Sequence, residues 1–304
     1  VFSAPIIVST IIQSVSTFLD NSSVQICLSY CDTGELKNAY KTCIEISRVQ
    51  DNDIVTYIYG LFSSAQDFKN LLPGFTMALG VSAVPAISSG FEGGNKERLS
   101  SLLNSIFKYT SIIAFGGGVY LSLTARHLLS VLYGGSNSDI VFGTARLVEY
   151  YGFTMFFYCI AGVSVYAVQA VGKAKAGIPA ILISAVFRIG INSFLVSKSE
   201  INIYGTVLSG AVGYLVIMVC NMVIFKKYTG VKYDYLNIMI KPFICSLFSY
   251  FFAKMIFSGI FTDMGDMLNL TVISALFAVI FTILLILSKT ICFSEIKFLK
   301  YCKK

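Results

Sequence analysis

Residues 177–198, GIPAILISAVFRIGINSFLVSK, form an apolar run in which Arg188 is the one ionisable residue before the closing lysine. A run of roughly 20 apolar residues is the length a helix needs to cross the hydrocarbon of a bilayer. Working outward in both directions, comparable runs fall at 3–28, 66–89, 104–132, 147–171, 203–225, 240–261 and 268–288. Composition agrees with this pattern. Hydrophobic residues make up 56% of the 304 residues and charged residues 13%, with a mean hydropathy of +0.75. Soluble domains carry roughly 25% charged residues, so this chain has more apolar side chains than an aqueous core could bury. The expected fold is an all-α integral membrane protein, a single membrane domain over 1–304 with about eight transmembrane helices.

Charge orients that bundle. The connections 91–101, 172–176 and 226–241, together with the tail from 289, carry most of the lysines and arginines outside the spans. The alternating connections carry few, and 134–143 and 262–266 carry none. By the positive-inside rule the basic side is cytoplasmic, and both chain ends lie there. The net charge of +7 is thus spent on topology, and no nucleic-acid motif accompanies it. Segment 35–50 reads as a short surface helix, and Pro73 and Pro85 are expected to kink or break the second span.

Soluble-enzyme motifs are absent: there is no GxxxxGK[ST], GxSxG or HExxH, and the expectation is a protein that is not an enzyme. His127 is the sole histidine, and none of the eight cysteines forms a CxxC pair, so no metal or cofactor site is expected. The GGG at 116–118 lies inside an apolar span, where small residues let helices approach closely.

Polar residues inside the spans carry the functional reading. Ser9, Gln13, Ser16, Asp20 and Ser23 recur at spacings of 4, 3, 4 and 3, which places them on one helical face. In the second span Ser63, Asp67, Asn70 and Gly74 form one stripe and Gln66, Lys69, Pro73 and Thr76 another. Asp67 and Lys69, two residues apart, point in different directions. Ser184, Arg188 and Asn192 follow at i+4 steps, and Gln169 ends the fourth span. An ionisable group at mid-bilayer costs on the order of 3 kcal/mol, so such groups face a bundle interior or a watered path. The candidate substrate-path residues are Arg188, Lys69, Asp67, Asn192, Gln169, Asp20 and Gln13.

Two longer segments resemble a known family. LLPGFTMALGVSAVPAISSGFEGGNKERL (71–99) looks like the kinked eighth helix of the polysaccharide exporters related to stage V sporulation protein B, with its "VPAIS" element and Gly-Asn-basic turn. Residues 165–242 are similar to the tenth to thirteenth helices of that family, with Gln169, Gly172 and Lys173, then Pro179 and Arg188, then Ile203, Tyr204 and Gly205 in the family's order. The family belongs to the multidrug/oligosaccharidyl-lipid/polysaccharide flippase superfamily, whose fold has fourteen helices in two lobes. The resemblance implies that this chain corresponds to helices seven to fourteen and that residues before Val1, including an N-terminal lobe, are missing.

It also implies a function. Members of the family and the related lipid II flippases move polyprenyl-diphosphate-linked sugars across the bacterial inner membrane for cell-wall and polysaccharide synthesis. The implied partners are a lipid-linked oligosaccharide, the bilayer and the chain's own first lobe, with no nucleic acid. Arg188 and Lys69 are then the candidate diphosphate contacts, and Asp20 and Asp67 are candidates for proton or sodium coupling. A cation-coupled multidrug antiporter of the same superfamily is the alternative. A polytopic anchor or scaffold is a second alternative, which the polar stripes disfavour.

Overall fold

The computed structural model describes residues 3–134, 138–260 and 265–291. These residues form ten α-helices and no strand: α1 (Ser3–Leu28), α2 (Thr33–Ala39), α3 (Lys41–Ser47), α4 (Ile54–Glu92), α5 (Lys96–Tyr133), α6 (Ser138–Ala170), α7 (Ala174–Leu195), α8 (Gly205–Thr229), α9 (Lys241–Ile260) and α10 (Asp266–Leu287). Among the described residues seven helical segments are long and apolar enough to cross a membrane, those built on α4 to α10. The chain is therefore an all-α, multi-pass membrane protein.

α1 does not reach that level of apolarity. Its 26 residues are long enough to span, but Asp20, Gln13, Asn21 and a series of serines dilute its hydropathy. Among the described residues α4 to α10 account for seven of the eight expected spans, and α1 is the eighth helix of comparable length.

The second span starts earlier than its composition suggests. α4 runs for 39 residues from Ile54, because Ile54, Ile58, Leu61, Phe62 and Ala65 bury one face at helical spacing. Pro73 and Pro85 lie inside α4 without breaking it. Pro73 is buried, and packing against neighbouring helices holds a turn that has lost a backbone bond. The surface segment 35–50 divides into α2 and α3, with Arg48 in the left-handed conformation (φ 51°) ending α3.

α6 is the central helix and packs against α4, α5 and α8. Glycines set the closest approach. A Cβ on Gly118 of α5 would meet the carbonyl oxygen of Gly152 in α6, and one on Gly152 would meet that of Gly118 and Ser122 Oγ. Gly116 makes room for Phe281 of α10 and Gly117 for Leu72 of α4. The three successive glycines thus serve three different neighbours, the close packing that small residues permit. α9 and α10 pack on each other and on α5.

At the end away from the basic connections, the junction of α2 and α3 is tied to the turn that precedes α8. Tyr40 donates from its hydroxyl to Asn202 Oδ1 at 2.7 Å. Asn202 adopts a positive φ of 43°, which asparagine tolerates better than most residues. Burial pushes the Tyr40 phenol well above its ordinary pKa, so it stays a donor.

Candidate functional site

The polar face of α1 meets α7. Asp20 and Arg188, separated by most of the chain in sequence, form an ion pair with Nη1 and Oδ2 3.2 Å apart. Their side chains are 15% and 5% exposed. One turn further along α7, Asn192 Nδ2 donates to Asp20 Oδ1 at 2.9 Å and to Ser23 Oγ at 3.2 Å. Ser23 donates in turn to the Asp20 carbonyl at 2.6 Å. The spacings of 3 and 4 on each helix put these groups on facing stripes, so two parallel polar faces close on each other.

α8 supplies the other wall. The Arg188 guanidinium carbon lies 5.4 Å from the centre of the Tyr214 ring, a distance at which a cation is attracted to an aromatic face. Tyr214 stacks on Tyr158 of α6 with ring centres 3.9 Å apart and planes 14° apart. Gly213 creates the room for this: a Cβ there would stand 2.6 Å from Arg188 Cδ and 3.0 Å from Ser184 Oγ, and closer still to Arg188 Cγ.

α4 brings a second cation. Lys69 Nζ lies 5.0 Å from the Tyr151 ring centre, and the Tyr151 hydroxyl shares a 2.7 Å hydrogen bond with Thr206 of α8. Lys69 is within electrostatic range of both Asp20 and Arg188. Next to it, Gln66 Nε2 donates to Asn21 Oδ1 at 2.9 Å and links α4 to α1.

Two properties define what the cluster can do. It holds one more cation than anion, since Asp20 is the single carboxylate beside Arg188 and Lys69. It is also incompletely bonded: Arg188 Nε, Asn192 Oδ1 and Ser184 Oγ are buried without a hydrogen-bond partner among the described residues. A buried polar group left unpaired is costly, so the site retains both charge and hydrogen-bonding capacity for something else.

The structure separates the candidate residues into two groups. Arg188, Asp20, Asn192 and Lys69 come together here. Asp67 does not, because the stripe of Ser63, Asp67, Asn70 and Gly74 is exposed while Gln66, Lys69, Pro73 and Thr76 turn inward. Gln169 lies toward the other end of α1, donating to Ser9 Oγ at 3.3 Å. Beside that contact is a cavity of about 10 Å³, lined by Ser9, Gln169 and Asn221 among others, room for about one water. Gln13 is half-buried on α1, between the two layers in sequence. Tyr214, Tyr158, Tyr151 and Gly213 belong to the site and were not among the candidates. The signal for Gly213 and Tyr214 was faint, a tyrosine beside a glycine in the otherwise aliphatic span SGAVGYLV.

The fold and this site describe a multi-pass membrane protein with a charged interior. Residues 60–194, from α4 into the end of α7, match the MatE family model. That stretch includes Lys69, Tyr151, Tyr158, Gln169, Arg188 and Asn192. The chain is also 21% identical over 159 residues to the Lipid II flippase MurJ of Bacillus subtilis (strain 168), across 52% of this chain and 29% of that one. The matched stretch thus spans less than a third of that relative's length. Both similarities support the transporter superfamily expected from the resemblance.

Proposed function

We propose that the chain is the helix-seven-to-fourteen part of a flippase. It would carry a polyprenyl-diphosphate-linked sugar, lipid II or a polysaccharide repeat unit, across the bacterial inner membrane with its basic ends cytoplasmic. The observation that carries this reading is Arg188, buried in a cluster with surplus positive charge and with its Nε unpaired. A diphosphate crossing hydrocarbon needs charge neutralisation and several donors, and guanidinium supplies both in one plane. In this reading Arg188 exchanges Asp20 for a phosphate oxygen, and Lys69 approaches from α4. Asp20 keeps its bond from Asn192 and becomes free to take a proton or a sodium ion. Rocking of this helix set against a first lobe would then move the site from one face to the other.

The MatE match favours a second reading, a cation-coupled multidrug antiporter in which Asp20 is the operating group. Transport in proteoliposomes made with the intact protein separates the two. The flippase reading expects translocation of a fluorescent polyprenyl-diphosphate sugar and no accumulation of a cationic dye. Arg188→Gln should slow that translocation roughly 10- to 100-fold, the worth of a hydrogen bond to a charged group. Dye accumulation without lipid movement would reverse the assignment.

A further inference from the structure

We propose that the basic end of the bundle holds a seat for the phosphate headgroup of an anionic phospholipid, in the groove where α5, residues 230–240 and the end of α10 meet. This is independent of what the transporter carries.

Two adjoining recesses, of about 350 and 520 Å³, share Ser101 and Asn104. The first is lined by Lys108 and Lys289, the second by Lys96 and Lys232. Among the described lining residues two are carboxylates, Asp234 in the first recess and Glu97 in the second, against four lysines. Asp234 is already engaged, accepting from the backbone N–H and the side-chain amide of Asn237. The amide bond from Asn237 holds its carboxyl below the usual range. Asn104 braces the groove by donating to the Lys232 carbonyl at 3.0 Å and accepting from Asp234 N at 3.2 Å.

Two backbone irregularities converge on the same place. Lys289 has φ 53° where the chain leaves α10, a left-handed position at which glycine is the usual residue. Its N–H bonds to Ile286 O at 3.0 Å and that of Thr290 to Leu285 O at 3.1 Å. A lysine is thus kept, with strain, at the spot where its side chain lines the groove, and such strain gathers at functional sites. The other irregularity is the π-helical turn Leu236–Ile240, a feature frequent at functional sites. It presents Asn237 and Ile238 to the groove while Leu236 and Ile240 remain exposed.

The surroundings identify a lipid and not a free phosphate. The groove lies at the ends of three apolar spans: Lys108 one turn inside the expected span 104–132, Leu236 at the start of another, Lys289 just past α10. Leu236 and Ile240, on the π-helical turn that lines the groove, and Leu287, two residues before Lys289, are exposed. A headgroup in the groove would therefore leave its acyl chains against apolar helix faces.

The intact protein, purified from a fixed mixture of phosphatidylglycerol and phosphatidylcholine, can be examined by native mass spectrometry for the lipid it retains. The expected result is preferential retention of phosphatidylglycerol, falling about fivefold for each lysine removed in Lys108→Gln and Lys289→Gln. Lys254→Gln, toward the opposite end of α9, should leave the preference intact. Lys289→Gly relieves the backbone and should raise the melting temperature while losing the preference, which separates lost binding from lost folding. Equal retention by wild type and the lysine variants overturns the proposal. So does displacement of phosphatidylglycerol by millimolar inorganic phosphate, which would make the occupant a soluble anion.

Discussion

Arg188→Ala is expected to abolish growth in a flippase-depleted strain and to destabilise the bundle by roughly 3–5 kcal/mol, the range for breaking a buried ion pair by removing one partner. The loss has two origins that a second substitution separates. Removing Arg188 leaves Asp20 facing α7 with Asn192 as its main remaining donor, and that part is relieved when Asp20 is replaced as well. Asp20→Ala/Arg188→Ala should therefore melt closer to wild type than Arg188→Ala alone while remaining unable to support growth. A thermal melt in detergent for the four members of this cycle, run beside the complementation, gives both quantities. Normal growth with Arg188→Ala would remove Arg188 from the mechanism, whatever the melts show.

The second large effect is expected at a residue with no functional group. Gly213→Ala would place a methyl against the stem of Arg188, 2.6 Å from Cδ and near Ser184 Oγ. The Cγ and Cδ atoms cannot step aside without carrying the guanidinium with them. Arg188 then loses the 3.2 Å contact to Asp20 or the face of Tyr214. Overpacking of this kind costs roughly 1–3 kcal/mol, and transport should fall about as far as in Arg188→Gln. Gly210→Ala, one turn away on α8 with nothing within 4 Å of the added carbon, should change stability by less than about 0.5 kcal/mol. Equal behaviour of the two alanine variants would show that the position of Arg188 is not what Gly213 protects.

Much of this arrangement could be read from residue spacing, and the limit of that reading has a physical origin. Helix periodicity assigns a residue to a face, so the serines, Gln13 and Asp20 of α1 were readable as one stripe, as was the divergence of Asp67 and Lys69. The α7 run placed at 177–198 lies within three residues of the helix Ala174–Leu195. Periodicity does not say which face meets which. Asp20 and Arg188 were therefore readable as two separate features, a coupling carboxylate and an anion contact, and not as one pair across 168 positions. Gly213 and Tyr214 were illegible for the same reason, because the space a glycine leaves is defined by the arginine of another helix. From sequence, residues 54–65 read equally as an outward extension of α4 or as an interfacial segment, because they mix tyrosines and serines with aliphatics, and packing onto α2 and α6 makes one face a buried one.

The central claim is that the buried cluster is an anion site in which Asp20 and the ligand compete for Arg188. Equilibrium binding of undecaprenyl diphosphate to detergent-solubilised wild type, Asp20→Asn and Arg188→Gln tests it most directly. If the claim is right, Asp20→Asn binds more tightly than wild type, because the competing carboxylate is gone, and Arg188→Gln binds at least tenfold more weakly. Binding that survives in Arg188→Gln and is lost in Asp20→Asn would contradict it and make the carboxylate the operating group.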